Sequence, residues 1–329
     1  MSDKKNSVLL ILIALSLLMF TGCKWQGGVS SSKQKLIIRS SYMRTPVFLA
    51  GSVLEGLINY NTDYISTNIS EGVNENEKIR ALVNGSADLA FLSGPEGYMA
   101  YNGHPLYWES PQDIKFLFGI FPAIYSGLIH PGQDVRKISD LVGKRIAINT
   151  EKSVSGDLLY YFLRLNGVDK SNSVIYRVEQ PEGFRLFSEG MVDFIWYNMS
   201  GEYSFLKNSL LTGDSSIKFD IISCTQQEKL KEFLSVYPVF YTNAGYGKKE
   251  KQFEEERSFA ASTFLACSSS LPDDVAYDIA KVWFENLDYI GNFFTFYSGN
   301  NASVYLARKV PVPMHPGALK YFKEVGLLN

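Results

Sequence analysis

The chain has 329 residues, a formal net charge of −2 and an aromatic content of 14%. This charge argues against a nucleic-acid-binding protein, which would need an excess of lysine and arginine. The three histidines each precede a proline, and the sequence has no zinc, phosphate-loop, serine-hydrolase or paired-cysteine motif. We therefore expect no metal site, no cofactor and no enzymatic activity.

The N-terminal residues 1–22 have the pattern of a signal peptide. Lysines precede an apolar run from Val8 to Phe20, which is too short to span a bilayer as a mature helix. The run ends in Phe20-Thr21-Gly22-Cys23, which resembles the lipobox of bacterial lipoproteins. We expect a lipid on Cys23, an extracytoplasmic location in the periplasm or at the cell surface, and a flexible tether over residues 23–34. The alternative is an uncleaved N-terminal anchor.

From Lys35 onward, short apolar strands alternate with amphipathic helices. Strands are predicted at 36–39, 64–70 and 88–92, and helices at 46–60 and 74–84. This alternation is typical of a parallel sheet covered by helices. The pattern changes after Gly94-Pro-Glu-Gly97. The apolar segment 116–125 is predicted to be a strand that leaves one domain and enters another.

A second set of alternating elements follows. Strands are predicted at 145–149, 174–178, 192–197 and 217–223, and helices at 155–166, 181–189, 201–211 and 226–236. Residues 258–268 fit a helix or a strand, and we favour a strand that returns to the first domain. Helices at 272–286 and 316–326 complete the chain. Cys224 and Cys267 either form a disulfide or remain buried free thiols.

These elements predict an α/β fold with two lobes joined by two crossing segments. Lobe 1 is assigned to residues 35–123 and 243–329, and lobe 2 to residues 124–242. Each lobe is predicted to be a mostly parallel sheet flanked by helices. The ligand cleft is expected between the lobes.

Polar turns follow several of the predicted strands. Loops at the carboxyl ends of strands converge on a crevice in such sheets, where helix N-termini present unpaired N–H groups. Aromatic side chains nearby can add hydrogen bonds to a ligand. The predicted ligand contacts are Tyr42, Arg44, Thr45, Asn74, Asn76, Ser93, Tyr125, Thr150, Ser153, Ser155, Gly156, Trp196 and Tyr197. The alternatives are capped surface turns and, for the aromatic residues, plain core positions.

Three segments resemble the TAXI family, the extracytoplasmic solute receptors of TRAP transporters. They are Gly72-Val-Asn-Glu-Asn76, Asp140 to Ala147 with Ser155-Gly156, and Val310 to Ala318. The resemblance covers nearly the whole mature chain. It implies a two-lobed α/β receptor of the periplasmic-binding-protein type. Such a receptor closes by hinge motion on a small organic acid or amino acid, glutamate-like in known members, and delivers this ligand to a TRAP membrane permease.

Two departures from the family pattern bear on the ligand. The loop from Ser40 to Thr45 lacks the family's glycines and introduces Arg44, which either clamps a carboxylate or pairs with a surface acid. Asp157 stands where the family has threonine, so it either faces away from the ligand or meets an amine. These departures leave open a ligand-sensing or protein-contacting surface lipoprotein on the same fold.

Overall fold

The computed structural model describes residues 33–43, 45–72, 74–151, 153–200, 220–222, 227–237, 239, 241–244, 257–294, 310 and 312–328. The predicted signal peptide, nearly all of the tether, the helix predicted at 201–211, Arg44 and Cys224 lie outside these residues. Residues Lys35–Asn329 form one structural unit. Within the described residues, no helix combines the length and the apolar character needed to cross a membrane.

The first part of the chain forms three strands and three helices. They are β1 (Gln34–Ser40), α1 (Pro46–Asn61), β2 (Ile65–Glu71), α2 (Glu75–Val83), β3 (Leu89–Ser93) and α3 (Gly94–Tyr101). The predicted strands and helices are confirmed here, and α3 is a helix that was not predicted from the sequence. Pro95 occupies the first turn of α3, where its missing N–H costs nothing. Gly97 is required because a Cβ there would lie 2.5 Å from the Phe264 ring.

The middle of the chain repeats the alternation after one long strand. Its elements are β4 (Ile114–Ile129), β5 (Arg145–Ile148), α4 (Val154–Leu165), β6 (Val174–Arg177), α5 (Gln180–Ser188), β7 (Phe194–Ser200), β8 (Asp220–Ile222), α6 (Gln227–Val236) and β9 (Tyr241–Ala244). A single 3₁₀ turn, Ile138–Leu141, precedes β5. The predicted strand 217–223 is described over 220–222 only.

The last part of the chain returns to the first. It contains β10 (Arg257–Ser268), α7 (Asp273–Phe284), α8 (Leu287–Ile290) and α9 (Pro316–Glu324). The ambiguous segment 258–268 is therefore a strand. It pairs antiparallel with β3, which confirms its predicted return to the first part of the chain.

The strands form one sheet in the order β2-β1-β3-β10-β4-β7-β5-β6, with β8 paired to β4 and β9 to β10. Parallel pairing joins β1 to β3, and β5 to both β6 and β7. The long strands β10 and β4 lie antiparallel between these two parallel regions. The predicted α/β fold class is confirmed. The division into two lobes at these long strands stays a prediction.

Two large apolar clusters flank the sheet and contain many of the aromatic side chains. One packs α1, α7 and α9 against the sheet, with Trp283 stacked on Phe118 at a centroid distance of 5.4 Å. The other packs α4 and α6 around Phe162 and Phe259. Cys267 is a buried free thiol in the first cluster, and burial raises its pKa. Its predicted alternative, a disulfide with Cys224, involves a residue outside the described part.

Candidate functional site

A cavity of about 530 Å³ lies where the loops after β1, β2, β3, β5 and β6 meet. Every one of these loops follows the carboxyl end of its strand, which is the crevice position for ligands in α/β sheets. Eight of the thirteen predicted contacts line it, namely Tyr42, Thr45, Asn74, Asn76, Ser93, Thr150, Ser153 and Ser155. The sequence therefore identified turns that the fold brings together from distant parts of the chain.

Helices α1 to α5 all begin at this cavity. Their N-cap residues, Thr45, Asn74, Ser93, Ser153 and Glu179, are all in its lining. Three of these side chains accept a hydrogen bond from their own helix: Thr45 from Phe48 N, Asn74 from Glu77 N and Ser153 from Gly156 N. They satisfy N–H groups that a ligand would otherwise meet. The positive ends of five helix dipoles nevertheless face the same space.

The cavity is also rich in carboxylates, which the sequence reasoning did not include among the contacts. Its described lining contains the acids Glu75, Glu77, Glu96, Glu151 and Glu179, with Lys78 and Arg80 as the basic residues. Acidic side chains near helix N-termini offset the helix dipoles. The hydrogen bonds of each carboxylate therefore determine which of them could bind a ligand.

The Glu96 carboxylate accepts hydrogen bonds from the first turn of α4. Glu96 lies on α3 and is 3% exposed. Its Oε1 accepts a hydrogen bond from Ser155 N at 3.0 Å, and the Ser155 and Ser93 hydroxyls also donate to the carboxylate. A carboxylate of the protein thus takes the N–H group that we expected to face a ligand. The spacing Ser93-x-x-Glu96 is that of a capping box, a sequence signal that indicates both α3 and its glutamate.

Glu75 and Lys78 form an ion pair at the α2 side of the cavity. Lys78 is 2% exposed, and its Nζ lies 2.7 Å from Glu75 Oε1 and 2.7 Å from Phe91 O. The Glu75 side chain is 29% exposed overall, yet its Oε2 atom is buried. Burial raises the pKa of Glu75, the nearby Glu96 adds to this shift, and Lys78 together with a backbone hydrogen bond from Ser93 opposes it.

Glu179 receives hydrogen bonds from two loops that are far apart in the chain. Tyr42 Oη donates to Oε2 at 3.3 Å, and Thr150 Oγ1 donates to Oε1 at 3.3 Å. Burial, followed by the charge of Glu179, raises the pKa of Tyr42. Tyr42 therefore remains a protonated donor at neutral pH. These contacts bridge the cavity between the loop after β1 and the loops after β5 and β6.

Asp157 is not among the residues that line the cavity. Its Oδ1 lies 2.7 Å from Arg177 Nη2, and its Oδ2 accepts a hydrogen bond from Tyr107 Oη at 2.9 Å. Arg177 also donates to Asn149 O and Thr150 O at 2.6 and 2.8 Å. The guanidinium therefore fixes the backbone of the loop after β5.

Four predicted contacts do not line the cavity. Trp196 and Tyr197 are fully buried in β7, an inner strand covered on both faces, so that successive side chains both enter the core. Tyr125 is buried beneath the site, with its Oη 3.3 Å from Ser155 Oγ. Gly156 permits close contact instead, because a Cβ there would lie 2.5 Å from Thr150 O. Arg44 lies outside the described residues.

Three buried side-chain oxygens in the lining have no hydrogen-bond partner within the described part of the chain. They are Glu75 Oε2, Asn76 Oδ1 and Thr263 Oγ1, and Thr263 is 3% exposed. Buried polar atoms are nearly always hydrogen-bonded in native proteins, so these atoms call for a partner. No group of three or more His, Cys, Asp or Glu side chains suited to a metal ion occurs among the described residues.

Comparison with known proteins gives one family match. The model of the NMT1-like family matches residues 48–326. Among solved structures, the chain is similar to the periplasmic aliphatic sulphonate-binding protein SsuA of Escherichia coli, at 15% identity over 89% of this chain and 79% of that one, with a TM-score of 0.48.

Two further solved structures show similarity at the same level. The ligand-binding component of an ABC-type import system of Staphylococcus aureus is 13% identical over 90% of this chain and 94% of that one, with a TM-score of 0.49. A TRAP periplasmic solute binding protein of a Sulfitobacter species, with bound β-D-galacturonate, is 10% identical over 90% and 93%, with a TM-score of 0.49. Such distant similarities do not indicate a ligand.

Proposed function

The chain belongs to the NMT1-like family, and on this premise we propose that it is an extracytoplasmic solute receptor of an import system. It captures a small polar solute in the cavity and delivers it to a membrane transporter. This proposal rests on the cavity of about 530 Å³, which lies where five strand-to-helix junctions meet. Three buried oxygens in its lining have no partner among the residues that the structure describes. Ligand pockets of small molecules have volumes of this order.

We propose that the solute is enclosed by two lobes, residues 35–123 with 243–329 and residues 124–242. The strands β4 and β10 would carry the hinge, because both run through the centre of the sheet. Three hydrogen-bonded pairs join the proposed lobes at the cavity or beside it: Tyr42 with Glu179, Glu96 with Ser155, and Tyr107 with Asp157. Contacts of this kind favour a closed arrangement, and their loss would accompany opening.

The finer assignment rests on the sequence resemblance to the TAXI family. It proposes a receptor of a TRAP-type secondary transporter, with a TRAP permease as its partner and a small carboxylate or a glutamate-like amino acid as its ligand. We also propose that residues 1–22 are removed and that a lipid on Cys23 then anchors the protein in the membrane. The proposed receptor needs no cofactor.

A thermal-shift screen of amino acids, carboxylates and amines against the mature protein tests solute capture. We expect at least one compound to raise the melting temperature and to bind with 1:1 stoichiometry in native mass spectrometry. Asn76→Trp should abolish the shift by filling the cavity. Leu106→Trp, at a position that is 75% exposed and outside the lining, should leave the shift intact.

The same screen separates this function from a second one on the same fold, a ligand-sensing or protein-contacting surface lipoprotein. The observation that favours the second function is Glu96, a side chain of the protein that occupies part of the site. If no compound stabilises the protein, solute transport is contradicted and a protein-contacting role is favoured.

A further inference from the structure

We propose that the solute carries a protonated amine, which binds Glu75 and Asn76, and that Glu96 excludes anionic groups from the first turn of α4. This inference rests on the proposed function, since it names the class of solute that the receptor takes. It selects, from the small carboxylates and amino acids considered above, compounds that present an ammonium group.

Two buried donors that could bind an anion, the Ser155 N–H and the Lys78 ammonium, are already engaged by the protein. The Ser155 N–H, in the first turn of α4, donates to Glu96. The Lys78 ammonium is shared between Glu75 Oε1 and Phe91 O. The Arg80 guanidinium lies over the Trp108 ring, 5.6 Å from its centroid. A carboxylate that bound at Ser155 N or at Lys78 would have to displace one of these partners, which leaves Arg80 as the other cation of the described lining.

Each of the three buried oxygens of the described lining that have no partner can accept a hydrogen bond. Glu75 Oε2 and Asn76 Oδ1 are acceptors only, and they belong to adjacent residues in the first turn of α2. Thr263 Oγ1, which is a hydroxyl, can donate or accept. An ammonium group has three donors and no acceptor, so it matches this set, whereas a carboxylate has no donor to offer.

The charges of Glu75 and Glu96 also favour a cation. Glu75 and Glu96 lie close enough for the charge of Glu96 to raise the pKa of Glu75. A further negative charge between them would increase this repulsion, and a cation would relieve it. An ammonium group bound at Glu75 Oε2 is therefore favoured by hydrogen bonding and by electrostatics together.

Isothermal titration calorimetry with three five-carbon compounds tests the inference on the mature protein. The probes are 1,5-diaminopentane, 5-aminopentanoate and glutarate, which have the same length and carry two amines, one amine with one carboxylate, or two carboxylates. We expect both amine probes to bind at least tenfold more tightly than glutarate. Tighter or equal binding of glutarate would overturn the inference and leave the proposed function standing.

Substitutions assign the selectivity to individual residues. Glu75→Gln should weaken the amine probes at least tenfold, and Glu96→Gln should strengthen glutarate. Asn76→Asp should strengthen the amine probes, which keeps the test valid if Glu75→Gln fails to fold because Lys78 loses its charged partner. Glu189→Gln, at an exposed position outside the cavity, is the control and should leave the affinity for all three probes unchanged.

The outcomes separate the two proposals. If none of the three probes binds, while the thermal-shift screen finds only compounds without an amine, the amine inference fails and solute capture stands. If nothing binds in either experiment, both proposals fail. Unchanged amine affinity in both Glu75→Gln and Asn76→Asp would also overturn the inference.

Discussion

At the scale of single residues, the site depends on which carboxylates have partners. Glu96 receives hydrogen bonds at both oxygens, whereas Glu75 has one oxygen paired with Lys78 and one without a partner in the described structure. The two glutamates therefore have different roles. Glu96 accepts the Ser155 N–H in the first turn of α4, and Glu75 is the carboxylate available to a solute.

The raised pKa of Glu75 makes amine binding depend on pH. The pKa of this carboxyl lies above its ordinary value of 4.5, because of burial and despite the opposing charge of Lys78. As the pH falls through this raised pKa, the carboxyl becomes protonated and no longer attracts an ammonium group. Calorimetry with 1,5-diaminopentane should show weaker binding at pH 5 than at pH 7.5, and a smaller difference in Glu75→Gln. Binding that tightens on acidification would contradict this role.

Gly156 should be intolerant of a side chain. A Cβ at this position would lie 2.5 Å from Thr150 O and 2.7 Å from Asn149 O, and both are backbone atoms that Arg177 holds in place. We expect Gly156→Ala to lower the free energy of unfolding by about 1–3 kcal/mol. Chemical denaturation monitored by circular dichroism measures this loss.

Gly56→Ala is the matched control, because this glycine lies within α1 and a Cβ there meets nothing within 4 Å. It should stabilise the protein by about 0.5–1 kcal/mol, since alanine favours a helix interior. Equal effects of the two alanines would show that the crowding at Gly156 has no energetic cost.

At the scale of elements, the strand and helix pattern was predictable and the position of α3 was not. Alternation and helical spacing identified β1 to β3, α1 and α2 because their faces are cleanly apolar. The sequence Gly94-Pro-Glu-Gly97 has the composition of a turn, so the helix in it was missed, and with it Glu96. The spacing from Ser93 to Glu96 matches a capping box, but the Ser93 side chain does not cap α3 and its hydroxyl donates to Glu96 instead.

The cap of α4 is expected to matter for stability. Ser153 Oγ accepts a hydrogen bond from Gly156 N at 3.0 Å and donates one to Thr150 O at 3.0 Å. Ser153→Ala removes both and should cost about 1 kcal/mol in unfolding free energy, whereas Ser153→Thr retains the hydroxyl and should cost less. Thermal unfolding of the two variants measures the difference. Equal melting temperatures for Ala and Thr would contradict a capping role.

At the scale of the whole molecule, the order of the strands brings the site together. The loops after β1, β2 and β3 come from one side of the central strands, and those after β5 and β6 come from the other. The general rule for parallel sheets predicted this meeting. It could not predict that Trp196 and Tyr197 are core residues, because their burial depends on both faces of β7 being covered.

Contacts across the cavity should govern opening. Tyr42 and Tyr107 each donate a hydrogen bond from one proposed lobe to a carboxylate of the other. The double variant Tyr42→Phe with Tyr107→Phe loses both bonds, each worth about 0.5–1.5 kcal/mol. We expect a larger radius of gyration in small-angle X-ray scattering without ligand. Tyr60→Phe, at a side chain that is 89% exposed, is the control. An unchanged radius in the double variant would contradict the proposed role.

A crystal structure of the mature protein with 1,5-diaminopentane tests the central claim most directly, namely that the loops after β1, β2, β3, β5 and β6 enclose an amine-bearing solute. We predict density for the diamine within the cavity, with one nitrogen in hydrogen-bond contact with Glu75 Oε2 and with Glu96 still bonded to Ser155. A diamine bound elsewhere, or a cavity that holds only water at saturating diamine, would contradict the account.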